Sequence, residues 1–261
     1  MEFHIGEHWV VNILGLNVHM DTLITMWLVM GFILLLSLIA VLNLKLIPNK
    51  FQAAFENIVS IFMGLTKNLG GVKSANTTLL MSIFLFIILG NMAGQLPWKL
   101  IHLPEGEFAS PTNDINVTAA LAVTVLIYYI VQGIIEKGPS YFKHYFKPML
   151  FMTPFNILED FTRPLTLAVR LFANILAGEI LIMVLGGLVF MLLTPESISQ
   201  FTQNALHGLL PETWVYNIGL FIGSLLPLPI MFFELFVAFI QALVFTLLTA
   251  AYIETATAKN H

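Results

Sequence analysis

Apolar runs broken by short polar stretches make up most of the chain, at about 22–43, 77–98, 117–136, 166–193 and 215–252. A bilayer core about 30 Å thick needs roughly 20 apolar residues per helical span. The pattern therefore predicts an all-α integral membrane protein with about five transmembrane helices, at 22–43, 77–98, 117–136, 163–193 and 215–252. The loops are short, and no internal repeat or low-complexity stretch stands out. One membrane domain over 1–261 follows, with 1–21 as an outer N-terminal segment.

The last two helices are longer than a bilayer requires. At 1.5 Å per residue, 163–193 runs about 46 Å and 215–252 about 57 Å, so strong tilting or cytoplasmic overhang is expected. Pro227 and Pro229 are placed to kink the final helix near its outer end. Two long slanted helices suit a curved partner. Between the first two spans, FQAAFENIVSIFMGLTKNL sets Phe51, Phe55, Ile58, Phe62 and Leu69 on one helical face and Gln52, Glu56, Ser60 and Lys67 opposite. That spacing predicts an amphipathic interfacial helix over 51–69, lying on the inner membrane surface. Tyr141, Phe142, Lys143, Tyr145, Phe146 and Lys147 read as an interfacial aromatic and basic belt.

Composition agrees: 58% of the residues are hydrophobic and 10% charged, which disfavours a soluble globular chain. Cysteine is absent, and this excludes disulfides, thiolate nucleophiles and Cys-ligated zinc. The placement of basic residues says more than the net charge of -4. Lys45, Lys50, Lys67, Lys73, Lys137, Lys143, Lys147, Arg163 and Lys259 fall on one side of the spans, and Lys99 on the other. By the positive-inside rule the N-terminus lies outside and the C-terminus in the cytoplasm. The opening MEFHIGEHWV carries neither Lys nor Arg, so no cleavage of a signal peptide is expected.

Three motifs are set aside. GGVKS near Lys73 has Val72 where a phosphate loop needs glycine, and no strand precedes it. His4 and His8 have helical metal-ligand spacing, but the other histidines are scattered and no metal site is expected. Asn116-Val117-Thr118 fits a glycosylation sequon but sits too close to a span.

Charged and amide side chains inside the spans are the candidate chemistry. A charge at mid-membrane costs about 2.5 to 3.5 kcal/mol on insertion scales, so such residues face a bundle interior or a water-filled cavity. Arg170, Glu179, Glu234 and Gln241 stand out. On a helix at about 100° per residue, Arg170 shares a face with Arg163, Thr166, Asn174 and Ala177, and Glu179 points about 180° away. The two cannot pair on their own helix. On the last helix, Glu234, Ala238, Gln241, Phe245 and Tyr252 fall within about 40° of one direction. With the helices antiparallel and Gln241 level with Arg170, the two glutamates reach a common outer level. They mark an outer aqueous pocket that Asn91, Gln95, Asp114 and Asn116 extend to the surface. Arg163, Thr166, Glu159 and Tyr252 form a second, cytoplasmic pocket. A guanidinium stays protonated, so it attracts carboxylates and relays no proton. Arg170 then reads as a fixed positive barrier between two offset half-channels.

The segments PLTLAVRLFANILAGEILI and FVAFIQALVFTLLTAAY, with SPTNDINVT and LGNMAGQLP before them, resemble subunit a of the F-type ATP synthase membrane motor over about 80–261. The resemblance implies a non-catalytic stator held against a rotating ring of c subunits, with peripheral-stalk b subunits as further partners. It implies protons as the transported ion, no cofactor, no nucleotide site in this chain and no nucleic acid. Arg170 matches the essential arginine, with Asn174 and Gln241 its neighbours and Glu179 in the outer half-channel. Glu234 stands where some relatives have histidine. Arg163, Thr166, Tyr252 and Glu159 match positions of the cytoplasmic access route. A bacterial plasma membrane is the expected location.

Other classes fit less well. A secondary antiporter usually shows inverted repeats and interrupted helices, and none is visible. A purely structural factor has no need for these buried polar groups, and an intramembrane protease lacks its serine and histidine pair or zinc motif.

Overall fold

The computed structural model describes residues 9–13, 15–42, 45, 48–68, 74–94, 110–138, 141, 151, 153–192, 212–225 and 227–257. Two strands open the chain, β1 (Val10–Ile13) and β2 (Leu16–His19), followed by helices α1 (Met20–Leu42), α2 (Lys50–Asn68) and α3 (Ser74–Gly94). A 3-10 turn, Pro111–Asn113, leads into α4 (Ile115–Lys137), α5 (Thr153–Leu192), α6 (Glu212–Leu225) and α7 (Pro227–Thr257). Among the described residues, five helices are long and apolar enough to cross a membrane: Met20–Leu42, Asn76–Gly94, Ile115–Lys137, Thr153–Leu188 and Leu228–Thr257. The chain is an all-α, multi-pass integral membrane protein.

The N-terminal hairpin is a departure from the segment expected ahead of the first span. Its strands pair antiparallel with Val10 opposite His19 and Asn12 opposite Asn17. Gly15 supplies the positive φ of the turn, 85°, and its N–H donates to Asn12 Oδ1.

Residues Met1–Phe172 and Ala238–His261 form one compact unit, and Ala173–Val237 a second. The core of the first is built by helical repeats: Leu80 and Ile87 on α3, Ala122, Val125 and Tyr129 on α4, Leu167 and Leu171 on α5, Ala242, Phe245 and Ile253 on α7. Thr246 and Thr249 are buried too, each hydroxyl donating to the carbonyl four residues back, which satisfies them within the helix. Phe84 joins three elements, its ring 4.7 Å from Phe62 of α2 and 6.0 Å from Phe239 of α7.

Four expectations are corrected. The helix carrying Arg170 begins at Thr153 rather than 163, because Pro164 does not end it: its missing N–H is made good from α4, as described below. The segment expected as one helix over 215–252 is two, Glu212–Leu225 and Pro227–Thr257, with Pro227 at the first position of the new helix, where no N–H is needed. Gln52, expected on the polar face of α2, is buried: it clamps Lys45 through both its N–H and its carbonyl and donates to Glu56 Oε1 at 2.7 Å. Tyr141, expected in the interfacial belt, is buried against Gly133, where any Cβ would overlap its ring. The rest of that belt, with His4, His8 and Lys73, lies outside the described residues.

Candidate functional site

Arg170 sits on α5 in the first unit and is exposed. Its neighbours Leu167, Ala168 and Leu171 are buried, so the helix turns those three inward and Arg170, Val169 and Thr166 outward. On the second unit's stretch of α5, Ala173 and Ala177 are also exposed and Asn174 is half-buried. A guanidinium thus stands on an uncovered helix face whose neighbours are small or apolar. Gln241 of α7 is 7% exposed, and its Nε2 finds no hydrogen-bond partner among the described residues. A buried amide N–H without a partner costs about 1–3 kcal/mol, a cost a stable fold tolerates where the group serves something else.

Around Arg163 a charged cluster forms. Its Nη2 donates to Glu159 Oε1 at 2.7 Å and its Nη1 to Asp160 Oδ1 at 3.2 Å. The same guanidinium lies 5.2 Å over the Tyr252 ring. Tyr252 is in turn 6.1 Å from the ring of Tyr129, which is 1% exposed. Three of the four residues expected on the cytoplasmic side, Arg163, Glu159 and Tyr252, therefore meet. The fourth, Thr166, is exposed and spends its hydroxyl on Arg163 O. Tyr129 and Asp160 were missed. A tyrosine in an apolar run and an acid three residues before an arginine were the available signals.

At the opposite end of α4, a second polar cluster is knitted by short hydrogen bonds. Asn91 of α3, 4% exposed, accepts from Thr112 Oγ1, which is 2.7 Å from Ser110 Oγ, and that hydroxyl donates to Gly90 O. The close approach depends on glycine: a Cβ at Gly94 would come 2.5 Å from Ser110 Cβ, and one at Gly90 3.3 Å from Pro111. Asp114 caps α4, its Oδ1 accepting from Asn116 N at 2.8 Å, and its Oδ2 lies 2.7 Å from His19 Nδ1. Asp21 and Thr22, on the first turn of α1, are buried. Of the residues expected in the outer pocket, Asn91 and Asp114 belong to this cluster, the Asn116 side chain is exposed, and Gln95 lies outside the described residues. Thr118, the third residue of the sequon, is fully buried within α4.

In the second unit, Glu234 is half-buried with its carboxylate against Gly178, where an added Cβ would collide with Glu234 Oε1. That oxygen has no hydrogen-bond partner among the described residues. Glu179, also half-buried, lies within electrostatic reach of it. The two carboxylates thus feel each other's charge, and the glycine before Glu179 makes the room for that of Glu234.

A protein-family model described as ATP synthase A chain matches residues 23–254.

Proposed function

Because the chain belongs to the ATP synthase A chain family, whose members are proton-translocating stator subunits of the membrane sector, we propose that it forms two offset half-channels against the c-ring. The outer one runs past Asn91, Gln95, Asp114, Asn116, Glu234 and Glu179. The cytoplasmic one runs past Thr166, Arg163, Glu159 and Tyr252, with Arg170, Asn174 and Gln241 between them.

A proton entering from outside neutralises a ring carboxylate, which can then face lipid because it carries no charge. The ring turns. On reaching the cytoplasmic pocket the carboxylate loses its proton and is drawn as an anion past Arg170. The guanidinium attracts it and cannot itself pass the proton on. Each crossing supplies about 2.3 kcal/mol per 100 mV of membrane potential, so several are needed per ATP made elsewhere in the complex. This chain performs no nucleotide chemistry in that scheme.

The observation that carries the reading is the exposure of Arg170 on an apolar membrane helix that leaves its face uncovered. A bare guanidinium facing lipid is costly; one facing a ring of carboxylates is not. The exposed stripe of Thr166, Val169 and Arg170 is the contact surface for the ring. The amphipathic α2 lies at the inner membrane surface, and the long α5 and α7 are tilted. The N-terminus lies outside, the C-terminus in the cytoplasm of a bacterial cell, and stalk b subunits complete the stator.

Replacing Arg170 with alanine in the assembled complex tests this. Gradient-driven ATP synthesis is expected to vanish, and lysine to be a poor substitute because it lacks the planar fork and can lose its proton. Normal synthesis with alanine would overturn the role.

A further inference from the structure

The N-terminal hairpin has no part in the scheme above, yet its last residue reaches one of the polar clusters. His19 Nδ1 lies 2.7 Å from Asp114 Oδ2, joining residues 95 positions apart in the chain. The hairpin register fixes the histidine: His19 pairs with Val10, and Met20 N donates to Trp9 O at 2.9 Å as α1 begins. The Asp114 side chain is 6% exposed and that of His19 27%. The imidazole is therefore the more open partner of a buried carboxylate. On the described elements that meet here, the other titratable side chain is Asp21, buried on the first turn of α1. Asn91, Ser110 and Thr112 contribute neutral hydrogen-bonding groups.

We propose that His19 collects protons on the outer access route and hands them to Asp114. The inference rests on the reading that Asp114 lines that route. Imidazole is the side chain whose two nitrogens can take a proton on one face and release one on the other near neutral pH. With Nδ1–H donated to Asp114, a proton arriving at Nε2 from the outer side gives the imidazolium. The Nδ1 proton then moves to Oδ2, leaving a neutral ring protonated on Nε2 and a carboxylic acid. When Asp114 passes its proton inward, exchange with water returns the ring to the Nδ1–H form. One proton enters and one leaves, with nothing else consumed.

The test uses the whole complex in vesicles and follows proton flux entering from the outer face between about pH 5 and about pH 8, the range in which an imidazole side chain changes charge. His19→Gln keeps a hydrogen-bond donor towards Asp114 but cannot relay a proton. Flux is expected to match the parent at acid pH, to fall several-fold at alkaline pH where proton supply limits, and to recover with imidazole buffer outside. His19→Asn carries the same readout should the glutamine chain fail to assemble. Flux equal to the parent at every pH overturns the proposal. So does a loss that is the same at every pH and indifferent to buffer, since that is the mark of an imidazole which only positions Asp114. Arg170→Ala vesicles run beside these separate the two claims: if they still couple, the half-channel reading fails whatever His19 does.

Discussion

Tyr129 donates its hydroxyl to the main-chain carbonyl of Asp160 at 3.4 Å. That carbonyl is the one which Pro164, four residues on and lacking an N–H, leaves without its helical donor. α4 thus supplies what α5 cannot, and α5 runs through its proline to present Arg163 and Arg170 on one helix. At 3.4 Å the contact is longer than the usual O–H···O bond, so Tyr129→Phe is expected to cost less than about 1 kcal/mol. Thermal unfolding of the purified complex measures it. In a Pro164→Ala background, where an N–H is present again, the same change should cost less, and a double-mutant cycle reads the difference.

Gly94→Ala should be far more damaging than Gly31→Ala. The first forces a Cβ onto Ser110, while a Cβ at Gly31 meets nothing within 4 Å. Overpacking of this kind costs about 1–3 kcal/mol, and an unobstructed helical Gly to Ala change is neutral or favourable by up to about 1 kcal/mol. Thermal melts of the two variants should separate accordingly.

Gly178→Ala should slow proton flux by displacing the Glu234 carboxylate it would strike. Glu234→Asp, shorter by one methylene, is expected to restore part of the flux in the alanine background. Flux in the single variant equal to that of the parent would remove this contact from the path.

Within the Arg163 cluster, partners should matter unequally. Glu159 is mostly exposed, so Glu159→Gln should change stability by less than about 1 kcal/mol. Arg163→Ala removes both ion pairs and the contact over Tyr252 at once and should cost more. Melting curves at low and high salt check the ordering, with the Glu159 effect fading as salt rises.

Much of this was legible in the chain. Hydropathy runs located the membrane helices because a bilayer imposes a length, and Arg170, Glu234 and Gln241 announced themselves as polar groups in apolar surroundings. The PLTLAVRLFANILAGEILI segment carried the family. What pattern could not supply were pairings across distance. Nothing near Pro164 in sequence reveals Tyr129 as the donor to Asp160, and His19 meets Asp114 only through the fold. The hairpin did leave a signal in the glycine between VVNI and LNVH, a short β pattern overshadowed by the hydrophobic runs. The break before Pro227 was signalled by its prolines as a kink and proved to be the start of a separate helix.

In the proposed scheme Arg170 separates two wet routes that open to opposite compartments. The chain has no cysteine of its own, so single cysteines report cleanly. Glu234→Cys and Thr166→Cys, each in the assembled complex, can be exposed to a membrane-impermeant thiol reagent from one face at a time and the labelling rate measured. Glu234→Cys is expected to react from outside alone and Thr166→Cys from the cytoplasmic face alone. Labelling of either position at equal rates from both faces would mean a continuous pore past Arg170 and would contradict the account.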